Sequence, residues 1–269
     1  MPEQDKDSPE YLAKRDFYRS LLTVFGRKAV REALANESLH CHALHLADSN
    51  RGGGIVEEIR SLATARGIEI RQHSRAELSR ISKNGKQDQG VALDIRCPNF
   101  MGLAAHLKQL NAAKPLRMLA LDGIHNPQNL GMIVRSAVAG GIDAILWSKR
   151  GNAAPGPLVI KASVGTLYTA PVVHCNDLAE ALRSYRELGV KVCSLSAEAE
   201  HSLFDWRPDG SAIYVLGNET EGVSTAVSKL ADQALSIPMA GGVESLNVAV
   251  AASLIAFAPG LAASAHLDR

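Results

Sequence analysis

Aromatic residues are scarce: two Trp, five Tyr and five Phe in 269 positions. Stacking platforms for single-stranded bases are therefore poorly supplied. The four cysteines, Cys41, Cys97, Cys175 and Cys193, are scattered and form no C-x-x-C pair. That argues against a disulfide framework and for free thiols in a reducing compartment. No apolar run is long enough to span a bilayer. The stretch from Leu246 to Ser264 is nearly uncharged, but Asn247, Pro259 and Gly260 interrupt it. About 11 apolar helical residues remain, where roughly 20 are needed, so a buried helix is expected. The opening MPEQDKDSPEYLAKRD is too charged for a signal peptide, and a cytoplasmic protein without membrane attachment is expected. Charge of one sign is also lacking, with a net of +1. That balance hides an asymmetry, because residues 1–115 carry 18 Lys and Arg against 14 Asp and Glu, and residues 116–269 carry 11 against 14. A basic front half is compatible with phosphate contacts there.

At 46% hydrophobic and 21% charged residues the composition is that of a soluble globular protein, and the length allows one large domain or two ordinary ones. Residues 1–22 read as an N-terminal arm or appended helix, with weak helical periodicity at Tyr11, Leu12, Phe17, Leu21 and Leu22. From 23 to 97 a compact alternation follows: a helix over Arg27–Leu34, a strand over Ala43–Ala47, a helix from Ile55 to Ala65, a strand at Ile68–Ile70, a short helix capped by Ser74, and a strand at Val91–Ile95. This is a small α/β domain. Residues 98–115 read as a linker with some helix, and 116–269 as a second α/β domain. Its strands are expected at Arg117–Leu121, Ala144–Trp147, Val172–Val173, Val190–Ser194, Ile213–Leu216 and Leu235–Ile237, with helices near 129–140, 177–188 and 248–258. Such alternation predicts a mostly parallel sheet covered on both faces. No G-x-G-x-x-G follows its first strand, so the usual dinucleotide fold has no support.

Three segments share one layout, in which a short apolar run ends in polar and glycine residues. They are Leu121-Asp-Gly-Ile-His-Asn-Pro-Gln-Asn129-Leu-Gly-Met-Ile-Val-Arg135, Tyr214-Val-Leu-Gly-Asn-Glu219-Thr-Glu-Gly222, and Ile237-Pro-Met-Ala-Gly-Gly-Val-Glu-Ser245-Leu-Asn247. Unpaired amides at a helix start beside short polar side chains make a site for a polar ligand. In a parallel sheet such loops gather outside the carboxyl ends of the strands. Asn129 and Arg135 are six residues apart, one and two-thirds helical turns, so they need not share a face.

Together these segments resemble the three signature motifs of the SpoU/TrmH family of RNA ribose 2′-O-methyltransferases, in order and over about the last 155 residues. The first domain, through FGRKAVREAL and QGVALDI, resembles the L30e-like substrate-binding domain of that family. The resemblance implies a trefoil-knotted C-terminal domain, S-adenosylmethionine as cofactor, RNA as partner, a homodimer, and no metal. It assigns catalytic roles to Asn129, Arg135, Glu219, Ser245 and Asn247. The cofactor falls to the main chain around Leu216, Gly217, Ile237, Met239 and Leu246. The two-domain combination is most similar to bacterial enzymes that methylate a guanosine of 23S ribosomal RNA. A tRNA methyltransferase is the nearest alternative, and a non-catalytic RNA-binding or assembly protein on the same fold is another.

An arginine is almost never deprotonated, so Arg135 suits phosphate clamping and oxyanion stabilisation better than general-base work. Glu219 is expected to accept hydrogen bonds from Arg135 or a loop amide, and Ser245 and Asn247 to cap the last helix as well as act in the site. Three departures from the family pattern stand out. Asn126 replaces the usual Asp, Thr220-Glu221 stretches the acidic motif, and Ala249 replaces a common Ser. In the first domain Arg27, Lys28, Arg51, Lys83 and Lys86 are candidate RNA contacts, the last three of them in the glycine turns Arg51–Gly54 and Lys83–Lys86. His40, Cys41, His42 and His45 offer metal-ligand types, but on a strand they split between two faces, and a plain strand is expected.

Overall fold

The computed structural model describes residues 8–50, 52–111 and 113–264, the side chains of 260–264 apart. Within these the chain forms two compact units. The first ends at Pro98 and includes Pro155–Ile160, and the second comprises Asn99–Ala154 and the chain from Lys161 on.

The first unit begins with helix α1 (Pro9–Arg19), capped by the Ser8 hydroxyl, which accepts from the Tyr11 amide at 3.2 Å. The periodicity expected to continue through Leu21 and Leu22 stops there. Strand β1 (Leu21–Phe25) follows, and Leu22 and Val24 point into the core. A two-residue apolar pair fits a helix stripe and a strand alternation equally well, and pairing with a partner strand decides it. Helix α2 (Arg27–Ala35), strand β2 (His40–Ala47), helix α3 (Gly54–Ala65), strand β3 (Glu69–His73), helix α4 (Arg75–Ser82) and strand β4 (Val91–Arg96) complete the unit. Ser74 and Glu77 close a reciprocal capping box at the start of α4. The sheet order is β1-β4-β2-β3, antiparallel except for β2 with β3. Alternate positions Val24, Leu44, Leu46, Leu93 and Ile95 are fully buried. The opposite face is polar along one line. The Thr23 hydroxyl donates to Asp94 Oδ1 at 2.6 Å, His45 Nε2 meets Asp94 Oδ2 at 3.1 Å, and His45 Nδ1 meets His73 Nε2 at 2.9 Å. The register slips between Cys41 and Ala43, leaving His42 as the bulged residue. Among the described residues no group of three or more His, Cys, Asp or Glu could hold a metal.

The stretch expected as a linker contributes strand β5 (Met101–Gly102) and helix α5 (Leu103–Leu107) to the second unit. Strand β6 (Arg117–Leu121), helix α6 (Pro127–Ala139), strand β7 (Ala144–Ser148), helix α7 (Pro157–Ala162, counted with the first unit as far as Ile160), a 3-10 turn (Thr166–Thr169) and strand β8 (Val172–Cys175) follow. Then come helix α8 (Leu178–Glu187), strands β9 (Lys191–Leu195), β10 (His201–Ser202) and β11 (Ala212–Leu216), helix α9 (Thr225–Ser228), strand β12 (Gln233–Ser236) and helix α10 (Val248–Ser264). The sheet runs β10-β12-β9-β11-β6-β7-β8-β5, and every pairing is parallel. β7 and β11 are buried along their whole length, as strands covered on both faces must be. The chain moves outward from β6 through β7 to β8, then resumes on the other side, so the order reverses between β6 and β11. Ligands of open α/β sheets bind at that point, outside the carboxyl ends of the strands. Helix α10 packs along α6, and it runs past its expected end at 258, through Pro259. No helix among the described residues is long and apolar enough to cross a membrane.

Candidate active site

The loops after β6, β11 and β12 carry the three motifs. Asn126 caps α6, its Oδ1 accepting from the Gln128 amide at 2.9 Å, with Pro127 at the first helical position. An Asn thus does at this position what an Asp cap does. The β6 and β11 loops are tied together. Asn218 Nδ2 donates to the Gly123 carbonyl at 2.9 Å, and the Ser224 amide donates to Asp122 Oδ2 at 2.7 Å. Asn218 Oδ1 accepts the amides of Thr220 and Glu221 at 2.8 and 3.2 Å, so the stretched acidic turn is organised around one side chain. Gly217 is required there, because a Cβ would lie 2.3 Å from the Gly222 carbonyl carbon. From the loop after β7, Asn152 accepts the Ile124 amide at 2.8 Å and donates to the Leu121 carbonyl and Ser148 Oγ, each at 2.9 Å.

Three motif residues meet in one hydrogen-bonded chain whose direction is fixed by the backbone. The Ala249 amide at the start of α10 donates to Asn247 Oδ1 at 2.8 Å. Asn247 must therefore point its NH₂ outward, and Nδ2 donates to Asn129 Oδ1 at 3.2 Å. That in turn leaves the Asn129 NH₂ to donate to Glu219 Oε1. Asn129 is buried on the first turn of α6, and Glu219 is exposed at the chain's end. The donor expected for Glu219 was Arg135 or a loop amide. The side chain of Asn129 takes that place.

Arg135 lies on the exposed face of α6 and has no hydrogen bond or ion pair with any described residue. Six residues along a regular helix turn it away from Asn129. Ser245 is exposed and makes no cap. Asn247 alone caps α10, its Oδ1 holding the Ala249 amide and its carbonyl accepting from Val250 and Ala251. Ile237, Met239 and Leu246 make no main-chain hydrogen bond to other described residues, and Leu246 is 39% exposed. Leu216, by contrast, is buried at the end of β11, and its carbonyl accepts from the Asp122 amide at 2.9 Å.

Residues 117–257 match the SpoU rRNA Methylase family. The chain belongs to this family of RNA methyltransferases. Residues 23–101 match the RNA 2′-O ribose methyltransferase substrate binding domain that accompanies it. Among its relatives are uncharacterized tRNA/rRNA methyltransferases of Mycolicibacterium vanbaalenii and Mycobacterium ulcerans. Each is 34% identical over 237 residues and 74% covered, matching 86% and 87% of this chain. A putative TrmH-family RNA methyltransferase from Porphyromonas gingivalis is similar in structure, with TM-score 0.58, 25% identity, and 93% and 92% of the two chains covered. The SpoU methyltransferase AviRb of Streptomyces viridochromogenes, solved with its cofactor AdoMet, shares the fold at TM-score 0.58 and 21% identity over 98% and 96% of the chains.

In this SpoU methylase the substrate-binding unit presents Lys28, Lys83 and Lys86 to solvent. Lys83 sits in the left-handed region as the C-cap of α4. Arg27 is engaged within the fold, with Nε on the Gln89 carbonyl and Nη2 on Asn50 Oδ1, each at 3.2 Å. Arg51 lies outside the described residues. Reading the sequence missed Asn152, Asn218 and Asp122. Asp122 and Asn218 stood inside quoted motifs, so a count of side-chain acceptors beside the loop amides was the available signal. Asn152 had none, since its partners are up to 31 residues away.

Proposed function

We propose that the chain transfers the methyl group of S-adenosylmethionine to a ribose 2′-hydroxyl of RNA, with a guanosine of 23S ribosomal RNA as the favoured target. The observation that carries this reading is the directed chain Asn247–Asn129–Glu219 at the switch point of a parallel sheet, beside main chain that has no partners.

The unpaired backbone at Ile237, Met239 and Leu246, flanked by apolar side chains, fits an adenosine cofactor, since amide and carbonyl groups can read a purine edge. When bound, the cofactor supplies a methyl group on a sulfonium. The protein's task is then alignment of the hydroxyl and stabilisation of the emerging oxyanion. Asn129 is held by Glu219 on one side and Asn247 on the other, so its amide is fixed in one orientation. The guanidinium of Arg135 has no partner among the described residues to release and is available to an RNA phosphate or to the oxyanion, as a fixed cation rather than a base. The exposed lysines of the substrate-binding unit add phosphate contacts. A homodimer completes the reading, because α10 leaves an apolar stripe uncovered.

A methyl-transfer assay with labelled S-adenosylmethionine tests it, offering ribosomal RNA and tRNA pools from a strain lacking the enzyme. Label in the ribosomal pool, stable to alkali as 2′-O-methyl dinucleotides, is expected. Label in tRNA only selects the tRNA alternative. Cofactor binding by calorimetry without label in either pool points to a partially assembled or modified RNA as the substrate, and neither label nor cofactor binding selects the non-catalytic reading. Arg135→Lys keeps the charge but loses the planar fork, and a fall in kcat of about tenfold or more is expected. Near-full activity would remove the guanidinium-specific role.

A further inference from the structure

A cavity of about 320 Å³ lies in the second unit, away from the three motif loops. Leu116, Asp143 and Pro171 immediately precede or lie just before β6, β7 and β8, so it opens at the amino ends of the strands. Strands of about five residues at ~3.3 Å each put that edge roughly 16 Å from the candidate active site. Met101 and Val173 supply apolar wall.

Its polar groups have a defined sense. Tyr185 and His106 are buried, and their Oη and Nδ1 atoms are 2.6 Å apart. The hydroxyl has no other acceptor among the described residues, so it donates to Nδ1, and the neutral ring carries its proton on Nε2. Burial lowers the His106 pKa and keeps the ring neutral, against the pull of Asp143. Nε2 has no partner among the described residues and is not sealed from solvent, so it opens to the cavity that His106 lines. Asp143 lines the same cavity; its Oδ2 accepts from the Arg117 amide at 2.8 Å, and its Oδ1 has no partner among the described residues. Lys114 stands on the rim.

We propose that this cavity binds a guanine base, its N1–H and N2–H donating to Asp143 and its O6 accepting from His106 Nε2–H. Lys114 is placed for the nucleotide's phosphate. Adenine turns its N1 lone pair toward the carboxylate, so it is rejected. The site is independent of methyl transfer, and its source of guanine is either a free nucleotide or an unstacked residue of an RNA strand.

Calorimetry on the full chain tests this, with saturating S-adenosylhomocysteine present to block purine binding at the candidate active site. GMP is expected to bind, and AMP at least about tenfold more weakly. Asp143→Asn keeps an acceptor for the Arg117 amide and is expected to bind GMP at least about tenfold more weakly. Met101→Trp fills the cavity and is expected to bind none. A UUGUU oligonucleotide that competes with GMP assigns the site to RNA, and one that does not assigns it to the free nucleotide. Absence of GMP binding, equal affinity for AMP, or an unchanged Asp143→Asn would overturn the proposal.

Discussion

A single backbone amide, that of Ala249, sets the orientation of two asparagines in sequence. Because each amide group has one acceptor end and one donor end, the direction propagates without any further choice. The arrangement makes Asn129 sensitive to charge. Asn129→Asp puts a carboxylate against Glu219 and another acceptor in place of the donor, so a loss in kcat of roughly tenfold to a hundredfold is expected. Glu219→Gln retains an acceptor oxygen and should lose much less than Glu219→Ala. Equal losses in the two Glu219 variants would mean that the carboxylate charge, not the hydrogen bond, is what matters. His106 offers a different reading at this scale. Its folded pKa is lowered from 6.5 by burial, so the unfolded chain takes up the proton first as pH falls. The stability it provides is complete above 6.5 and is lost as pH drops below. Urea midpoints between pH 7.5 and 5 should therefore fall more steeply for the native chain than for His106→Gln. Parallel curves would sink that account. The sequence spelled out the residues of the amide chain but not their order. Asn129, Glu219 and Asn247 were visible as polar groups at loop ends, whereas the donor for Glu219 depended on which way a helix turned.

Elements were legible where one physical signal dominated. β6 and the buried runs of β7 and β11 declare themselves by continuous apolar stretches between turn residues. β5 and β10, at two residues each, have no period to read, and β1 was hidden because its apolar pair also fits a helix stripe. The contact that locks α6 and α10 together was equally hidden. Arg117 Nη1 donates to the Ala256 carbonyl at 3.0 Å, and Nη2 donates to the carbonyls of Gly140 and Gly141 at 2.8 and 3.2 Å. One guanidinium thus satisfies carbonyls at the end of α6 and within α10. Gly140 permits that approach, since a Cβ there would lie 2.5 Å from the Ala256 Cβ. Arg117→Met removes these three hydrogen bonds and leaves the carbonyls at the end of α6 without their donor, which should cost about 1–3 kcal/mol. Gly140→Val must push the helices apart, and a loss of about 1–3 kcal/mol is expected from overpacking. Thermal unfolding checks both. Because Asn247 stands at the start of α10, each variant should also weaken methyl transfer. A destabilised Gly140→Val with undiminished kcat would uncouple the helix pair from the site.

For the whole molecule, the same helix pair carries exposed apolar side chains in a row. Val250 and Phe257 are 46% and 45% exposed, with half-buried Leu254 between them at helical spacing. Ser253 Oγ donates to Ser136 Oγ at 2.7 Å and Gly140 abuts Ala256, so α6 and α10 run side by side in the same direction. This sets Met132, 41% exposed, at the level of Val250. A stripe of large apolar groups on a helix of high hydropathy is the surface on which the proposed second copy would dock, since water contact with each costs roughly 25 cal/mol per Å² of apolar surface. Replacing Val250 and Phe257 together by Asp removes none of the bonds that hold α10 to α6. The doubly substituted chain is therefore expected to fold, with an unchanged circular dichroism spectrum, and to sediment as a monomer where the native chain sediments as a dimer. A native chain that is itself monomeric at micromolar concentration would sink the dimer. A monomeric variant with full methyl transfer would show instead that each copy's site works alone.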